Sequence, residues 1–529
     1  MKTICPFCLQ KYEVDERFTS TTLSCPNCNK EFTVEPVKKC PVCESENHSN
    51  AEMCNKCKTS FTTAQKISDA PILIPIKKES DEKKRVNRKL IFILLFIFSI
   101  IIVILIYNPI RKKIIIMREE TRAAELWRAA DVAGLLLNES GVIVGTKNPD
   151  ITYANIPRGV SGIGKSAFKG CDKLQGVTIP DTVLYIEENA FAECRNLTNA
   201  TISEGVKTVG KCAFMNTGLK QIIIPSSVSV VGDNAFAGCR NLTNATISEG
   251  VKTLGKYAFS NTGLKQIIIP SSVSVVDTGV FERCNLSNGV TIRKGVKKIE
   301  AYAFQNSGMS HIVIPDSVES VGSWAFNDCL WLQNVTIPDS VKNMGFAMFS
   351  GCSSLRKVRL PAGLTQINSS MFQRCDKLVD IIIPDKVTSI GLGAFSRCYE
   401  LELVIPPNVK DICDDSFEYV QSVKVSKNNP FFANDEFGGL LDMRSNRLLH
   451  FPRRFNGHYI IPDGVISIST NAFKSCNLTA LTIPESVEKI EKYTFYGCEK
   501  IKSVTVLGIC KIDKDAFGIL WFKPEIHWK

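Results

Sequence analysis

The sequence predicts a β-rich solenoid over residues 148–529, in which short units stack along one axis. Phenylalanines recur there at steps of 22 or 23 residues, with one step of 56, and short apolar–polar alternations followed by proline recur with them. A fixed period in this range is typical of units that bury their apolar face only against their neighbours. The fifteen phenylalanines are Phe168, Phe191, Phe214, Phe236, Phe259, Phe281, Phe304, Phe326, Phe349, Phe372, Phe395, Phe417, Phe473, Phe495 and Phe517.

One unit, LQGVTIPDTVLYIEENAF from Leu174, shows how each part is expected to fold. In Val177-Thr178-Ile179 the two apolar side chains point to one face of a short strand and the threonine to the other. Pro180 then ends the strand, because it has no N–H for the ladder. The small residue and phenylalanine that follow, as in Ala190-Phe191, are expected to fill the interior from the opposite side.

These units resemble the leucine-rich repeats of the bacterial surface protein A (BspA-like) type, from about Val160 to the C terminus. The resemblance implies a leucine-rich repeat array of about fifteen units. The segment 424–463 departs from the unit. With Asn429-Pro430-Phe431-Phe432 and His450-Phe451-Pro452, it resembles the hairpin-forming insert that such proteins carry between repeats.

The outward position of the strands is the candidate partner-binding surface. Stacking is expected to place one residue of each unit in a single row on a flat, weakly charged face that binds a protein or glycan. Threonine, isoleucine and valine also favour strands for their own sake, so the pattern has a purely structural interpretation too. The row contains Thr178, Thr201, Ile223, Thr246, Ile268, Thr291, Val313, Thr336, Arg359 and Ile382.

Ten cysteines stand three residues after a phenylalanine of the series. A fixed place in the unit predicts buried packing, in which cysteine acts as a small apolar residue. Consecutive copies such as Cys352 and Cys375 would stack roughly 5 Å apart, so a disulfide remains an alternative. The ten are Cys171, Cys194, Cys239, Cys284, Cys329, Cys352, Cys375, Cys398, Cys476 and Cys498.

Two pairs of Cys-x-x-Cys motifs stand ahead of the repeats and resemble zinc ribbons, at residues 1–35 and 36–62. Two such turns complete a tetrahedral four-cysteine shell, and a filled shell leaves no position for a reactive water, so two structural Zn²⁺ ions are expected. Disulfides are the alternative. Docking of a cytoplasmic protein, contact with DNA or RNA, and a merely folded module all remain open as roles. The expected ligands are Cys5, Cys8, Cys25 and Cys28, then Cys40, Cys43, Cys54 and Cys57.

Residues 90–107, LIFILLFIFSIIIVILIY, contain no charged residue and are predicted to form a single transmembrane helix. A basic linker, 63–89, precedes it. Seven basic residues between 77 and 89 stand before the apolar run and five between 111 and 122 stand after it. This bias predicts a cytoplasmic N terminus and extracytoplasmic repeats, which agrees with reduced cysteines in the ribbons. No apolar run lies near Met1, so the segment is interpreted as an uncleaved signal-anchor.

Residues 108–147 are predicted to form a juxtamembrane helix leading into a cap on the first repeat. The stretch 110–137 is rich in good helix formers and ends at Asn138-Glu-Ser-Gly141. A coiled-coil stalk is the alternative, although the stretch covers few heptads.

The sequence predicts no enzyme. Its five histidines, His48, His311, His450, His458 and His527, are scattered and no phosphate loop, nucleophile elbow or paired-carboxylate motif accompanies them. The net charge of +11 is not concentrated on the repeats, so nucleic acid is an unlikely partner for them.

The leading hypothesis is a membrane-anchored adhesion or interaction scaffold at the cell surface. The alternative is a transmembrane sensor in which a ligand on the repeats changes what the cytoplasmic ribbons hold.

Overall fold

The computed structural model describes six short strands within residues 2–47, then residues 110–518 and 525–529. The chain forms two compact units, Met1–Ile110 and Arg111–Lys529. The predicted transmembrane helix 90–107 lies outside the described residues. Among the residues that are described, no helix is both long and apolar enough to span a membrane.

The first unit contains three antiparallel strand pairs. Each pair brackets one of the first three Cys-x-x-Cys motifs in the sequence, while the eight cysteines themselves lie outside the described residues. The pairs are β1 (Lys2–Ile4) with β2 (Lys11–Glu13), β3 (Thr22–Ser24) with β4 (Glu31–Thr33), and β5 (Lys38–Lys39) with β6 (Glu46–Asn47).

The second unit begins with a helix and a hairpin. Helix α1 covers 110–132, and β7 (Leu135–Leu137) pairs antiparallel with β8 (Val142–Thr146). Ala130 near the end of α1 is buried in the core, and Leu126 packs against it. The strand β8 then pairs in parallel with Gly162–Ile163, the second strand of the first repeat, so the hairpin covers the end of the core.

Each repeat contributes two strands, and both columns of strands run in parallel. The first strands are β9 (Tyr153–Asn155), β11 (Gly176–Ile179), β13 (Asn199–Ile202), β15 (Gln221–Ile224), β17 (Asn244–Ile247), β19 (Ile267–Ile269), β21 (Val290–Ile292), β23 (Ile312–Val313), β25 (Asn334–Thr336), β27 (Lys357–Arg359), β29 (Asp380–Ile381), β31 (Glu402–Ile405), β33 (Ser422–Val425), β37 (His458–Ile460), β39 (Ala480–Ile483), β41 (Ser503–Val506) and β43 (Glu525–Trp528). The second strands are β10 (Gly162–Ile163), β12 (Tyr185–Ile186), β14 (Thr208–Val209), β16 (Val230–Val231), β18 (Thr253–Leu254), β20 (Val275–Val276), β22 (Lys298–Ile299), β24 (Ser320–Val321), β26 (Asn343–Met344), β28 (Gln366–Ile367), β30 (Ser389–Ile390), β32 (Asp411–Ile412), β36 (Arg447–His450), β38 (Ser467–Ile468), β40 (Lys489–Ile490) and β42 (Lys511–Ile512).

The β-solenoid predicted from the period is confirmed, but the sequence analysis missed the second strand of each repeat. That strand is usually two residues long, too short for an alternation of side chains to show. Its column is nevertheless the more continuous one, because β7, β8 and the even-numbered strands from β10 to β26 form a single eleven-stranded sheet. The first strands form separate sheets of two to four strands.

The turn between the two strands depends on the repeated proline. The N–H of Val183 donates to the carbonyl of Pro180 at 3.2 Å, and Val228 and Pro225 repeat the bond at 3.1 Å. Because proline lacks an N–H and fixes its own φ, it ends the first strand and starts the turn in one step. The valine that closes the turn is fully buried in both repeats.

The phenylalanines stack face to face along the array and form what we call the phenylalanine ladder. Phe168 and Phe191 have ring centroids 5.0 Å apart, and neighbouring rings stay within 6.3 Å as far as Phe417. The turns stack through their backbones too, since the N–H of Phe191 donates to the carbonyl of Ala213 in the next repeat at 2.7 Å. Left-handed residues flank each turn, as at Asn189 (φ 58°) and Glu193 (φ 64°).

The ladder is interrupted after Phe417, where the next ring is His450, tilted by 65° with its centroid at 6.3 Å. An antiparallel hairpin, β34 (Phe432–Asn434) and β35 (Leu440–Asp442), lies within the interruption. Phe451 then resumes the ladder 5.0 Å from Phe473. Only part of segment 424–463 therefore departs from the repeat, because β36, Phe451 and β37 within it take ordinary repeat positions.

The interruption divides the interior into two hydrophobic clusters, one from Ala130 to Leu440 and the other from Leu448 to Ala516. A cavity of about 20 Å³ between them is lined by His450, Ser469 and Asn471 together with acidic residues. Within the described part of the chain, the buried His450 Nε2 has no hydrogen-bond partner. This junction thus places buried polar side chains between the two apolar clusters.

Candidate partner-binding face

All ten residues of the predicted row are exposed on the first-strand column. Backbone register brings neighbours side by side, as Thr178 opposite Thr201 and Ile223 opposite Thr246. The alternation is complete in β19, where Ile268 is 50% exposed while Ile267 and Ile269 are buried. Each repeat therefore presents its row residue to solvent along this face, and in several first strands a polar residue two positions earlier, such as Gln221 or Asn334, is exposed beside it.

The aliphatic members of the row are at least half exposed. Val313 is 73% exposed and Ile382 is 79% exposed, although the β-branched residues that precede them in each strand are buried. The charge at Arg359 is balanced by Asp339, whose carboxylate lies 3.1 Å from the guanidinium. The face is accordingly apolar at intervals and has little unpaired charge.

A recess of about 420 Å³ opens in this face between β17 and β19, which belong to different sheets. Two row residues, Thr246 and Ile268, line it beside Glu249 and Arg293. Partial burial raises the pKa of Glu249, but hydrogen bonds from Ser271, Ser272 and Arg293 outweigh that effect and hold the pKa at about 2. The recess is thus bordered by a permanently ionised, internally paired carboxylate.

The cysteine row lies inside the array. All ten predicted members are buried, and all thirteen cysteines of the described residues are free thiols. The sulfur of Cys194 donates to the Phe168 carbonyl of the preceding repeat at 2.9 Å, and Cys352 does the same toward Phe326 at 3.1 Å. Cysteine is therefore a small apolar residue that also supplies one hydrogen bond between repeats.

Sequence analysis missed that threonine and serine take the cysteine place in three repeats with a shorter loop. The hydroxyl of Thr217 donates to the Phe214 carbonyl at 3.0 Å and lies 3.1 Å from the sulfur of Cys239. Thr262 and Ser307 repeat this arrangement. Aligning the units with one another would have shown a small donor at this position in thirteen of the fifteen units, with Val420 and Leu520 as the exceptions.

These thiols are unsuited to nucleophilic chemistry. Burial raises the pKa of Cys194 to about 12 and that of Cys284 to about 11. A thiol with so high a pKa stays protonated at neutral pH, and the thiolate is the reactive form. Among the residues that the structure describes, no group of three or more histidine, cysteine or acidic side chains could hold a metal ion.

Comparison with known proteins places this solenoid in a family. The model of the BspA type leucine-rich repeat region matches residues 161–288, 297–424 and 456–520 in six copies. These matches cover more than half of the chain, and the protein belongs to the BspA type leucine-rich repeat family. This fold is a non-catalytic scaffold, and leucine-rich repeat proteins generally bind protein ligands.

Several solved structures are similar to this chain. A leucine-rich repeat protein from Bacteroides ovatus is 22% identical, with 74% of this chain and 97% of that chain covered and a TM-score of 0.44. A leucine rich cell surface protein from Faecalibacterium prausnitzii is 20% identical, with 71% and 93% covered and a TM-score of 0.31. The pneumococcal vaccine antigen PcpA is 15% identical, with 75% and 96% covered and a TM-score of 0.38. Comparison with curated protein sequences gave no match.

Proposed function

We propose that this protein is a membrane-anchored, non-catalytic scaffold that binds a protein partner through the first-strand face of its repeats. The observation that carries the proposal is the row of exposed aliphatic side chains, Ile223, Ile268 and Val313 among them. The core already buries two apolar residues per first strand, as on either side of Ile268, so folding does not require a third. A protein surface would bury these side chains and gain roughly 25 cal/mol per Å².

The chemistry of the face favours a protein over a glycan on this row. Branched aliphatic side chains pack against other apolar side chains, whereas they offer no hydrogen bonds to sugar hydroxyls. Threonines such as Thr246 and Thr291 alternate with them and provide hydroxyls for polar contacts. The recess at Ile268 supplies a concave point at which a protruding partner side chain fits.

Photo-crosslinking in intact cells tests this face. With p-benzoylphenylalanine placed at Ile223, Ile268 or Val313, we expect a discrete protein adduct on irradiation, because these positions would lie within the interface. The matched control position is Val230, which is 37% exposed on the second-strand column. Equal adducts at Val230, or none from the row, would contradict the proposal.

Orientation and the sensor alternative can be settled with the same cells. Protease added outside should remove the adducts if the repeats are extracytoplasmic, as the basic residues around 90–107 favour.

Deletion of residues 1–60 should leave partner binding and adhesion intact for a scaffold. A sensor, by contrast, would lose its response to the partner while still binding it.

We also propose that the eight N-terminal cysteines bind two structural zinc ions. The strand pairs β1–β2, β3–β4 and β5–β6 support this, because each brackets a Cys-x-x-Cys motif in the way that a hairpin turn presents two thiolates to one ion. Metal analysis of the full chain should find about two zinc ions, and about one in the Cys25→Ser variant. The Cys413→Ser control, which removes an exposed thiol of the array, should retain both. A chain free of zinc, or equal loss in both variants, would refute the assignment.

A further inference from the structure

An exposed apolar pair, Leu330 and Trp331, stands where the other repeats are mostly polar. Trp331 is 65% exposed and Leu330 is 47% exposed. Eight repeats share the same loop, in which two residues separate a buried cysteine from the apolar residue that follows. The residue aligned with Trp331 in the other seven is Lys173, Asn196, Asn241, Ser354, Lys377, Glu400 or Lys500. The repeat therefore does not need an aromatic residue here, so packing within the array does not account for Trp331.

Loop length creates a recess beside this tryptophan. In three successive repeats only one residue stands between the small buried residue and the apolar one, namely in Thr262-Gly263-Leu264, Cys284-Asn285-Leu286 and Ser307-Gly308-Met309. The next loop, Cys329-Leu330-Trp331-Leu332, has two. The step from short loops to a longer one borders a cavity of about 420 Å³, within the usual size range of small-molecule sites.

Glycine allows the Ser307-Gly308-Met309 loop to pack closely against the preceding repeat. A Cβ on Gly308 would come within 2.2 Å of the Asn285 carbonyl oxygen of the preceding repeat. The backbone is therefore in close contact there, and its N–H donates to the Cys284 carbonyl at 3.2 Å. The floor of the recess is fixed by backbone bonds between repeats, which makes it rigid before any ligand arrives.

The side chains around the recess are polar and varied. Arg283, Asn306 and Asp328 line it from three successive turns, each with left-handed backbone at φ 54° or 55°. Asn285 lies on the loop between them. A guanidinium, two carboxamides and a carboxylate beside one open indole ring offer hydrogen-bond donors and acceptors around a flat apolar surface.

We propose that this recess binds a single pyranose ring of a glycan. A sugar ring has one face of C–H bonds, which packs on the electron-rich face of an indole, and a rim of hydroxyls, which pair with carboxylate and amide groups. None of the lining residues belongs to the first-strand row, so this site is separate from the protein-binding face and does not depend on it.

Saturation-transfer NMR and tryptophan fluorescence of the full chain test the site with methyl pyranosides of glucose, galactose, mannose and N-acetylglucosamine. At least one of these sugars should bind with a dissociation constant on the order of 1 mM, which is reasonable for one ring in an open recess. The Trp331→Asn variant, which installs the residue found at the same place in the Asn196 and Asn241 repeats, should weaken binding by roughly tenfold or more.

Trp528→Asn is the matched control, because Trp528 is also exposed, at 57%, and does not line this recess. The control should bind as the unmodified chain does, and circular dichroism should show both variants folded. The proposal is overturned if none of the four sugars binds, if Trp331→Asn binds as well as the unmodified chain, or if both variants lose binding equally.

Discussion

Replacing Phe304 with alanine is expected to lower the free energy of unfolding of the array by about 4 kcal/mol. Phe304 is fully buried between Phe281 and Phe326, with ring centroids 5.5 and 5.6 Å away. Its loss leaves a cavity and removes two ring contacts. Because each repeat contacts only its neighbours, the variant is expected to weaken the first hydrophobic cluster more than the second.

Hydrogen exchange of the full chain, followed by peptide, can measure this difference. Protection should fall for peptides around residues 281–349 and change little for peptides from residues 451–516. Phe346→Ala is the matched control, since Phe346 is 46% exposed, and it should cost less than about 1 kcal/mol. Equal losses in the two variants would show that the ladder does not hold the repeats together.

Acid is expected to destabilise the junction between the two clusters through His450. Burial, and to a smaller extent the positive charge of Arg453, lowers the pKa of His450 to about 3. The ordinary histidine pKa is about 6.5, so between these two values the unfolded chain binds the proton more readily than the folded chain. Stability from the neutral ring is therefore complete above about pH 6.5 and falls as the pH drops toward 3, by roughly 3 to 5 kcal/mol in total.

Urea unfolding of the full chain between pH 4 and pH 7 checks the sign. The His450→Phe variant should lose this part of the pH dependence and should be more stable than the unmodified chain at acid pH. Burial raises the pKa of nearby Asp415, whose titration acts in the opposite direction, so the comparison with the variant isolates His450. His311→Gln, at an exposed histidine, should keep the original pH dependence. A parallel curve for His450→Phe would rule out this explanation.

The solenoid and its exposed row were predictable because they follow from repetition. A residue such as Ile268 needs only its place in a three-residue alternation and a period of known length to be assigned to the outer face. The buried cysteines were predictable for the same reason. The period does not explain why the residue is cysteine. The structure does, because the sulfur donates a hydrogen bond to a carbonyl of the preceding repeat, as from Cys194 to Phe168.

The remaining features were hidden wherever the period fails. Phe451 stands 34 residues after Phe417 in the sequence, because the hairpin β34–β35 lies between them. This spacing does not match the period of 22 or 23 residues, so the sequence alone does not assign Phe451 to the ladder. The two-residue second strands carry too few side chains to show a pattern. The recess beside Trp331 depends on comparing the loops of four repeats, because no single loop among them is unusual in length.

The recess next to Trp331 exists because the Ser307-Gly308-Met309 loop is one residue shorter than the loop that contains Trp331. One additional codon between Ser307 and Met309 would raise that loop to the level of Cys329-Leu330-Trp331-Leu332, without altering a phenylalanine, a proline or a buried donor. Arrays of this kind can therefore gain or lose concave sites through the insertion or deletion of one loop residue, while the interior stays the same. Binding specificity could then diverge faster among such proteins than their cores do.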